Sequence, residues 1–444
     1  MAPAPQRPPS RTAPRRAGCL LIVAAAGYGK TTALEAAAGP GATAYHHAAA
    51  LAGWAALPAL DPAVTHLAVD GLCALPPPQQ VAVARLLAAV PDRIAVSVAA
   101  RRPPPAAVLA ALPAPVTERG PTALALPPDA VARVLRDEHG IVDADLAYRS
   151  HQVTAGWPAL VHFAGEALAA DGAEPLPALT GPGAPAAAWV REHVLGALPP
   201  AATRLLTEFA EFDPICADLY QPAPGSPEPP WTAAPAGQPV DLTLRWLARV
   251  GLLTAYAGPG PTRAGSYRLV PVVAGVLLHP DRPTGQAGSR SAGSRSAGSR
   301  SAGAARVRRQ WAARWYAAHG YPLAAARALH RAGDLAACAD LIEARGDEIL
   351  AAGGATELAD LCDAIPAVTR TARLRLLRAD ALRMAGQVSR AAAEFAALLA
   401  AGPPYEPALA WRAAMAHYLR ADHRGALAVL AAAAPAAGRG TADD

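Results

Sequence analysis

The run AAAGYGKTT, residues 24–32, constrains this chain more than any other segment. It follows an apolar stretch, residues 18–25, that reads as a buried strand. It precedes residues 31–38, which read as a helix. A glycine-rich turn between a buried strand and a helix is the context in which backbone N–H groups gather around an anion. Gly27 and Gly29 permit the backbone conformations that turn successive N–H groups inward. The helix that begins near Lys30 aims its positive end at the same place. Lys30 is then positioned for the β- and γ-phosphates of a nucleotide, and the Thr31 hydroxyl for Mg²⁺. The strict form of this loop opens on a glycine; here that place holds Ala24.

Composition sharpens the reading of Lys30. Lysine and arginine together number 40, and Lys30 is the only lysine. Asparagine is absent, while Ala, Gly, Pro and Arg abound, the mark of a strongly GC-rich coding bias. A lysine retained against a drift to arginine implies a task that a guanidinium cannot perform.

Two further positions join the loop. The stretch HLAVD ends at Asp70, and an acid at the tip of a buried strand downstream of such a loop anchors Mg²⁺ and its waters. A second acid, which would polarise an attacking water, is missing: the next residue is Gly71, so hydrolysis should be slow or absent. In VAARRPP, Arg101 follows the apolar strand at 94–99 and could reach the γ-phosphate side, with Arg102 as the alternative.

The rest of the chain divides by composition. Hydrophobic residues make up 52% and aromatics 5%, so sizeable cores must be built from Ala, Leu and Val, which suits closely packed helices. Residues 1–17 read as a disordered arm, and 18–125 as an α/β domain with a parallel sheet, its strands at 18–25, 66–69 and 94–99 alternating with helices. Residues 126–171 read as a small helical domain that opens with an amphipathic helix at 128–139, and 172–187 as a linker. Helices at 189–197, 202–209 and 242–250, followed by LLTAY and YRLVPVV as a two-stranded wing, suggest a winged-helix-like region over 188–279; its Pro-rich segment 221–238 reads as a loose insertion. Three copies of GSRSA make 280–305 a flexible linker. Residues 306–436 read as tetratricopeptide-like helical repeats. Gly333-x4-Cys338-x3-Ile342 recurs as Gly386-x4-Ala391-x3-Phe395 and, more loosely, as Ala421-x4-Ala426-x3-Leu430.

The exclusions follow from the same reading. The formal net charge of +5 is mild for 444 residues and does not by itself indicate nucleic acid. The five cysteines are scattered, and neither they nor the histidines show metal-ligand spacing, so a reduced, cytoplasmic setting without a zinc site is expected. No apolar run is long enough to span a membrane.

Taken together, AAAGYGKTT, AVDGL, AVSVAARRPPP, VTAGWPALVHFA and YRLVPVVAGVL resemble the large LuxR-type ATPase regulators, the MalT-like branch of the STAND P-loop NTPases. The resemblance covers roughly residues 18–435. It implies a signalling switch in transcriptional regulation, in which ADP holds a closed form and ATP with an inducer favours one that self-associates. It places Gly27, Tyr28, Gly29, Lys30, Thr31 and Thr32 on the phosphates, Thr31 and Asp70 on Mg²⁺, and Arg101 as nucleotide sensor. Pro158 of the Gly156-Trp157-Pro158 turn would lie against the adenine; the residues alone equally allow that turn simply to end one helix and start another. The unknown inducer or partner protein would meet the helical repeats.

The chain departs from the pattern in four ways. Lys30 and Asp70 are only 40 residues apart, so a helix or more is expected to be missing. Gly71 replaces an acid, and Val270 stands where the family carries a histidine that helps hold ADP. The family's C-terminal LuxR helix-turn-helix is not found, and the helices at 189–197 and 242–250 carry few basic residues, which argues against direct DNA binding. The alternative reading is a degenerate nucleotide-binding scaffold whose repeats bind a partner protein.

Overall fold

The computed structural model describes residues 18–37, 41–57, 60–171, 174–220, 230–231, 239–257, 265–279, 292–400 and 402–433. The arm at 1–17, most of the insertion at 221–238 and the first part of the GSRSA tract lie outside the described residues. The chain forms two compact units. The first combines Met1–Glu211, Ala233–Ala255 and Tyr267–Thr284; the second combines Phe212–Thr232, Tyr256–Ser266 and Gly285–Asp444.

The first unit is built on a five-stranded parallel sheet. Its elements run β1 (Cys19–Val23), α1 (Lys30–Ala37), β2 (Ala42–His47), α2 (Ala48–Leu51), β3 (Val64–Asp70), α3 (Pro77–Ala88), β4 (Ala95–Ala100), α4 (Ala106–Ala111) and β5 (Val116–Arg119). The strand order is β2-β3-β4-β1-β5. The three inner strands are apolar on both faces, as strands covered by helices on each side must be. Leu21, Val23, Leu67, Val69, Val96 and Val98 pack toward α3 and α4 with Val83, Leu87 and Val108. Ile22, Ala68 and Ala99 pack on the other face with Leu34 of α1. The outer strands have no such signature: all four residues of β5 are exposed, and β2 (ATAYHH) is exposed or half-buried throughout. This is why sequence patterning finds β1, β3 and β4 and misses β2 and β5.

Parallel pairing has a direct consequence for the site. Register runs Val23↔Ala100 between β1 and β4 and Val69↔Val98 between β3 and β4. The carboxyl ends of β1, β3 and β4 therefore meet at one edge, where ligands gather in open α/β sheets. That edge carries the glycine loop, Asp70 and Arg101.

A helical group follows: α5 (Pro128–His139), α6 (Ala144–Thr154) and α7 (Pro158–Asp171). Val131 and Leu135, one turn apart, bury the inner face of α5, and Gly140 in the left-handed conformation ends it. Asp143 caps α6, its carboxylate accepting the N–H groups of Asp145 and Leu146.

Of residues 172–187, expected to be a linker, 172–173 lie outside the described residues and the rest hold α8 (Pro175–Thr180) and the start of α9 (Pro185–Trp189). The prolines that read as breakers stand at the first helical position, where a missing N–H costs nothing. The expected helix at 189–197 is also altered: after α9 the chain makes a π-helical turn, Val190–Val194, and then a 3₁₀ turn, Leu195–Ala197.

The segment continues with α10 (Pro200–Phe209), α11 (Ala217–Tyr220), α12 (Val240–Val250), the antiparallel strands β6 (Leu253–Ala255) and β7 (Tyr267–Leu269), and α13 (Pro271–Leu278). The sequence reads PVV as the end of a strand. The structure starts a helix there, with Pro271 at its first turn and Val272, Val273 and Val276 buried. Burial of one face overrides the strand preference of valine. Residues 188–279 do not stay together: α11 belongs to the second unit.

The second unit is helical. It comprises α11 with α14 (Ala292–Ala318), α15 (Pro322–Arg331), α16 (Leu335–Ala351), α17 (Ala355–Ala364), α18 (Ala372–Met384), α19 (Val388–Leu399), α20 (Pro407–Leu419) and α21 (His423–Ala431). Trp311 donates to the Leu219 carbonyl (3.2 Å) and Tyr316 to that of Pro214 (2.6 Å), tying α14 to the 212–220 segment.

The flexible linker expected at 280–305 is corrected in part, since α14 begins at Ala292, inside the GSRSA copies. Glycine costs a helix only about 1 kcal/mol each. The nucleus formed by the packed half of α14 extends backward at little further expense.

The repeated pattern marks the helical hairpins. Gly333, Gly386 and Ala421 sit in the turns before α16, α19 and α21 at φ of 75°, 78° and 60°. Cys338, Ile342, Ala391, Phe395 and Ala426 are buried at the crossings. The third copy is looser, with Leu430 44% exposed.

Charge pairs lock neighbouring helices. Asp380 of α18, 3% exposed, meets Arg383 at 3.2 Å and Arg412 of α20 at 3.1 Å. Asp380→Ala leaves two guanidinium groups without their carboxylate. It is expected to destabilise this unit by about 2–4 kcal/mol, as for a buried pair with one partner removed. Chemical denaturation followed by circular dichroism checks this; a loss below about 0.5 kcal/mol would refute it.

Candidate functional site

The loop between β1 and α1 is fastened on several sides within the first unit. The Ala24 amide donates to the Ala100 carbonyl (3.2 Å), and the Ala25 amide to the Val250 carbonyl at the end of α12 (2.8 Å). From the other direction, Trp157 donates from Nε1 to the Ala26 carbonyl (3.0 Å), and the Ala159 amide donates to the Gly27 carbonyl (3.1 Å). Gly27 adopts φ 73°, and a Cβ there would lie 2.5 Å from the Ala159 side chain and 2.7 Å from the Trp189 ring. Both the backbone conformation and the packing therefore require glycine. Gly29, at φ 72°, faces open space. Among the described residues, the amides of Gly27, Tyr28 and Gly29 make no hydrogen bond within the protein. They are the donors a loop of this shape offers to an anion.

Lys30 is the first residue of α1 and is 8% exposed. Its ammonium donates to the Ala25 carbonyl at 2.6 Å, across the mouth of the loop. Burial lowers its pKa to about 8; the Arg101 guanidinium adds to this, and the Asp70 carboxylate opposes it. Thr31, one residue on, donates from its hydroxyl to Asp70 Oδ2 at 2.8 Å. Tyr45 on β2 donates to the same oxygen at 3.1 Å, and Asp70 Oδ1 accepts the Gly71 amide at 2.6 Å. A hydroxyl and a carboxylate held together beside an ammonium and a ring of amides form a donor set suited to a hard divalent cation and phosphate oxygens. Thr32, like Thr31, is exposed.

Arg101 follows β4, and its amide donates to the Cys73 sulfur at 3.0 Å. A cavity of about 420 Å³ opens between Asp70 and Arg101, bordered also by Ala25, Ala26, His47 and His193. That volume is within the range of small-molecule sites.

Two expected site residues have different surroundings. The Tyr28 side chain, 3% exposed, turns into the protein, stacks on Trp157 (centroids 4.5 Å apart) and donates to the Gly251 carbonyl at 2.7 Å. Only its backbone remains available to a ligand, so its contribution as a binding side chain is corrected to a structural one. Pro158 is the first residue of α7 and is half-buried. Trp157 before it and Ala159 after it hold the loop, and Pro158 itself is not among the cavity-lining residues.

His47, Trp189 and Gly251 were not legible as site residues. His47 ends β2, and its ring fills the space beside Gly71: a Cβ on Gly71 would lie 2.5 Å from His47 Nε2. Gly71 is also at φ 78°. The acid missing after Asp70 is thus excluded by both space and backbone. Gly71→Glu is expected to destabilise the first unit by about 1–3 kcal/mol, and His47→Ala in the same chain to recover part of the loss. Thermal unfolding of the single and double variants reads this; full stability of Gly71→Glu alone would contradict it.

Neither a protein-family profile nor a curated protein matches the sequence. Among solved structures, the chain is similar to a Signal Transduction ATPase with Numerous Domains (STAND) protein with a tetratricopeptide repeat sensor from Pyrococcus horikoshii. The identity is 13% and the TM-score 0.29, over 93% of this chain and 61% of that one. The chain thus spans less than two thirds of that protein's length. No helix among the described residues is long and apolar enough to cross a membrane.

Proposed function

We propose that this chain is an ATP/ADP-binding signal-transduction switch of the STAND class, acting in transcriptional regulation with slow or no hydrolysis. The observation that carries the reading is the Thr31–Asp70 hydrogen bond (2.8 Å) beside the only lysine, in a loop whose Gly27, Tyr28 and Gly29 amides make no hydrogen bond among the described residues. In this reading Gly27, Tyr28, Gly29, Lys30 and Thr31 hold the phosphates, with Tyr28 acting through its amide. Thr32 joins them on the phosphates, and Pro158 takes the adenine, as the resemblance implies. Thr31 and Asp70 hold Mg²⁺, which would neutralise phosphate charge when bound. Arg101 faces the terminal phosphate and distinguishes ATP from ADP.

The helical repeats of the second unit receive the inducer or partner protein. A switch requires that ATP and ADP bind its two states with different affinity; self-association in the ATP state is the expected output. Val270, fully buried at the start of α13, offers no polar group to ADP. That favours a weak resting lock, or, as the second reading, a scaffold that has lost its switching.

The test is to purify the chain without added nucleotide, denature it and identify what is released by chromatography. Stoichiometric ADP or ATP supports the switch. No released nucleotide, together with no ATP binding in a titration, overturns it. Turnover above about 1 per second would be ordinary enzyme behaviour and would refute slow hydrolysis.

The depressed pKa of Lys30 sets a pH dependence. An anion favours the protonated amine, so nucleotide binding draws a proton from solution once the free amine has lost its own. Affinity should hold below about pH 8 and fall by up to about tenfold per pH unit above it. Stability moves the other way. Between about pH 8 and the ordinary lysine value near 10.4, the unfolded chain binds more protons, so the nucleotide-free fold gains stability as pH rises. Titrations at pH 7 and pH 9.5 check the first statement; equal affinities would contradict it.

A further inference from the structure

We propose that Glu138, His139 and His162 form a binding site for a divalent transition-metal ion of the zinc type. The three residues come from two helices: Glu138 and His139 close α5, and His162 lies one turn into α7. One ligand atom from each lies within 4.8 Å of the other two. His162 Nδ1 is 3.1 Å from Glu138 Oε2. Ligand atoms about 2.0–2.2 Å from a tetrahedral zinc stand roughly 3.3–3.5 Å apart, so this pair needs only to open slightly to span an edge of such a site. The third corner is reached by rotation of the exposed Glu138 and His162 side chains toward the fixed His139 ring.

Three features support a ligand rather than an ordinary surface pair. The Nε2 atom of His139 is buried and has no hydrogen-bond partner. Leaving such a group unpaired costs about 1–3 kcal/mol, a cost a metal bond would remove. The His139 ring is also held in place: it lies against Gly165 of α7, where a Cβ would approach its Cδ2 to 2.2 Å and its Nε2 to 2.5 Å. Gly165 is three residues beyond His162, so one face of α7 presents both the ring's seat and the second imidazole. Finally, the site lies at the carboxyl end of α5, where the helix dipole favours a cation.

Access is open, since the Glu138 and His162 side chains are 53% and 46% exposed. Two imidazoles and one carboxylate suit Zn²⁺, Co²⁺, Ni²⁺ or Cu²⁺ rather than Ca²⁺ or Mg²⁺, and three protein ligands leave a fourth position for water or another group. The sequence hides the site because His139 and His162 lie 23 positions apart and only the packing of α5 on α7 joins them.

The test uses the full chain, stripped with a chelator that is then removed, and titrated with Zn²⁺ by calorimetry and with Co²⁺ by visible absorption. The expected result is one tight equivalent of Zn²⁺ and the absorption of four-coordinate Co²⁺. His162→Gln, at a half-exposed position, is expected to weaken binding by roughly a hundredfold or more. Glu138→Gln should weaken it as well. Zn²⁺ should raise the unfolding temperature of the unaltered chain and not that of His162→Gln. No tight equivalent in the unaltered chain, or the same affinity in His162→Gln, would overturn the proposal.

Discussion

Lys30→Ala is expected to abolish measurable nucleotide binding while the chain stays folded. The ammonium is almost fully enclosed and makes one short bond, to the Ala25 carbonyl. Its lowered pKa records that charge is held there against the preference for water. Removing such a group frees the fold of a desolvated charge and deprives a phosphate of its compact cation. Charge-assisted hydrogen bonds are worth about 1.5–3 kcal/mol each, and contact with two phosphates would make the loss at least a hundredfold in affinity. Lys30→Arg should do little better, because the planar guanidinium is bulkier and must enter a space closed around a single amine. Calorimetric titration with ATP and ADP, alongside circular dichroism, separates the two effects. Unchanged affinity in a folded Lys30→Ala chain would remove the basis for placing phosphates at this loop.

Trp157→Ala is expected to cost about 3–5 kcal/mol of stability in the first unit, the range for deleting a large buried aromatic. It should also loosen the loop. The indole is fully buried, stacks on Tyr28, meets Trp189 edge-on (centroids 6.4 Å apart) and holds the Ala26 carbonyl. Trp157→Phe separates these contributions, since it keeps most of the apolar contact and drops the hydrogen bond. About 1–2 kcal/mol is then the expected loss. Chemical denaturation measures the stability, and nucleotide titration at a temperature where both variants are folded measures the loop. If Trp157→Ala unfolds as the unaltered chain does, the indole does not hold the loop.

Where the sequence was legible and where it was not follows from what each element is made of. The inner strands and α5 were readable because burial on both faces, or on one helical face, leaves a strong pattern: CLLIV for β1, and Val131 with Leu135 for α5. The outer strands β2 and β5 were silent because their residues face water. Prolines misled at α8 and α9, where they start helices, and valines misled at α13. At the candidate site, chemistry pointed to Lys30, Thr31, Asp70 and Arg101. Their approach to one another follows from parallel pairing, which brings the strand ends to one edge. What could not be read were the residues that hold the loop from afar. Gly251 lies 223 positions from Tyr28, and Trp189 lies 162 positions from Gly27, beside which it packs; nothing in either stretch announces the contact. Nothing in the sequence places His47 beside Gly71, so the reason for Gly71 emerges only from the packing.

The solitary lysine has a practical consequence as well. Apart from the amino terminus, Lys30 carries the only aliphatic amine in 444 residues, and its pKa near 8 leaves a substantial fraction uncharged, and so nucleophilic, at mildly alkaline pH. Stable amide formation with an acylating reagent therefore has one internal target, seated in the loop itself. The rate at which that target is modified becomes a direct readout of whether the loop is open, closed or filled, without any label having to be built into the protein.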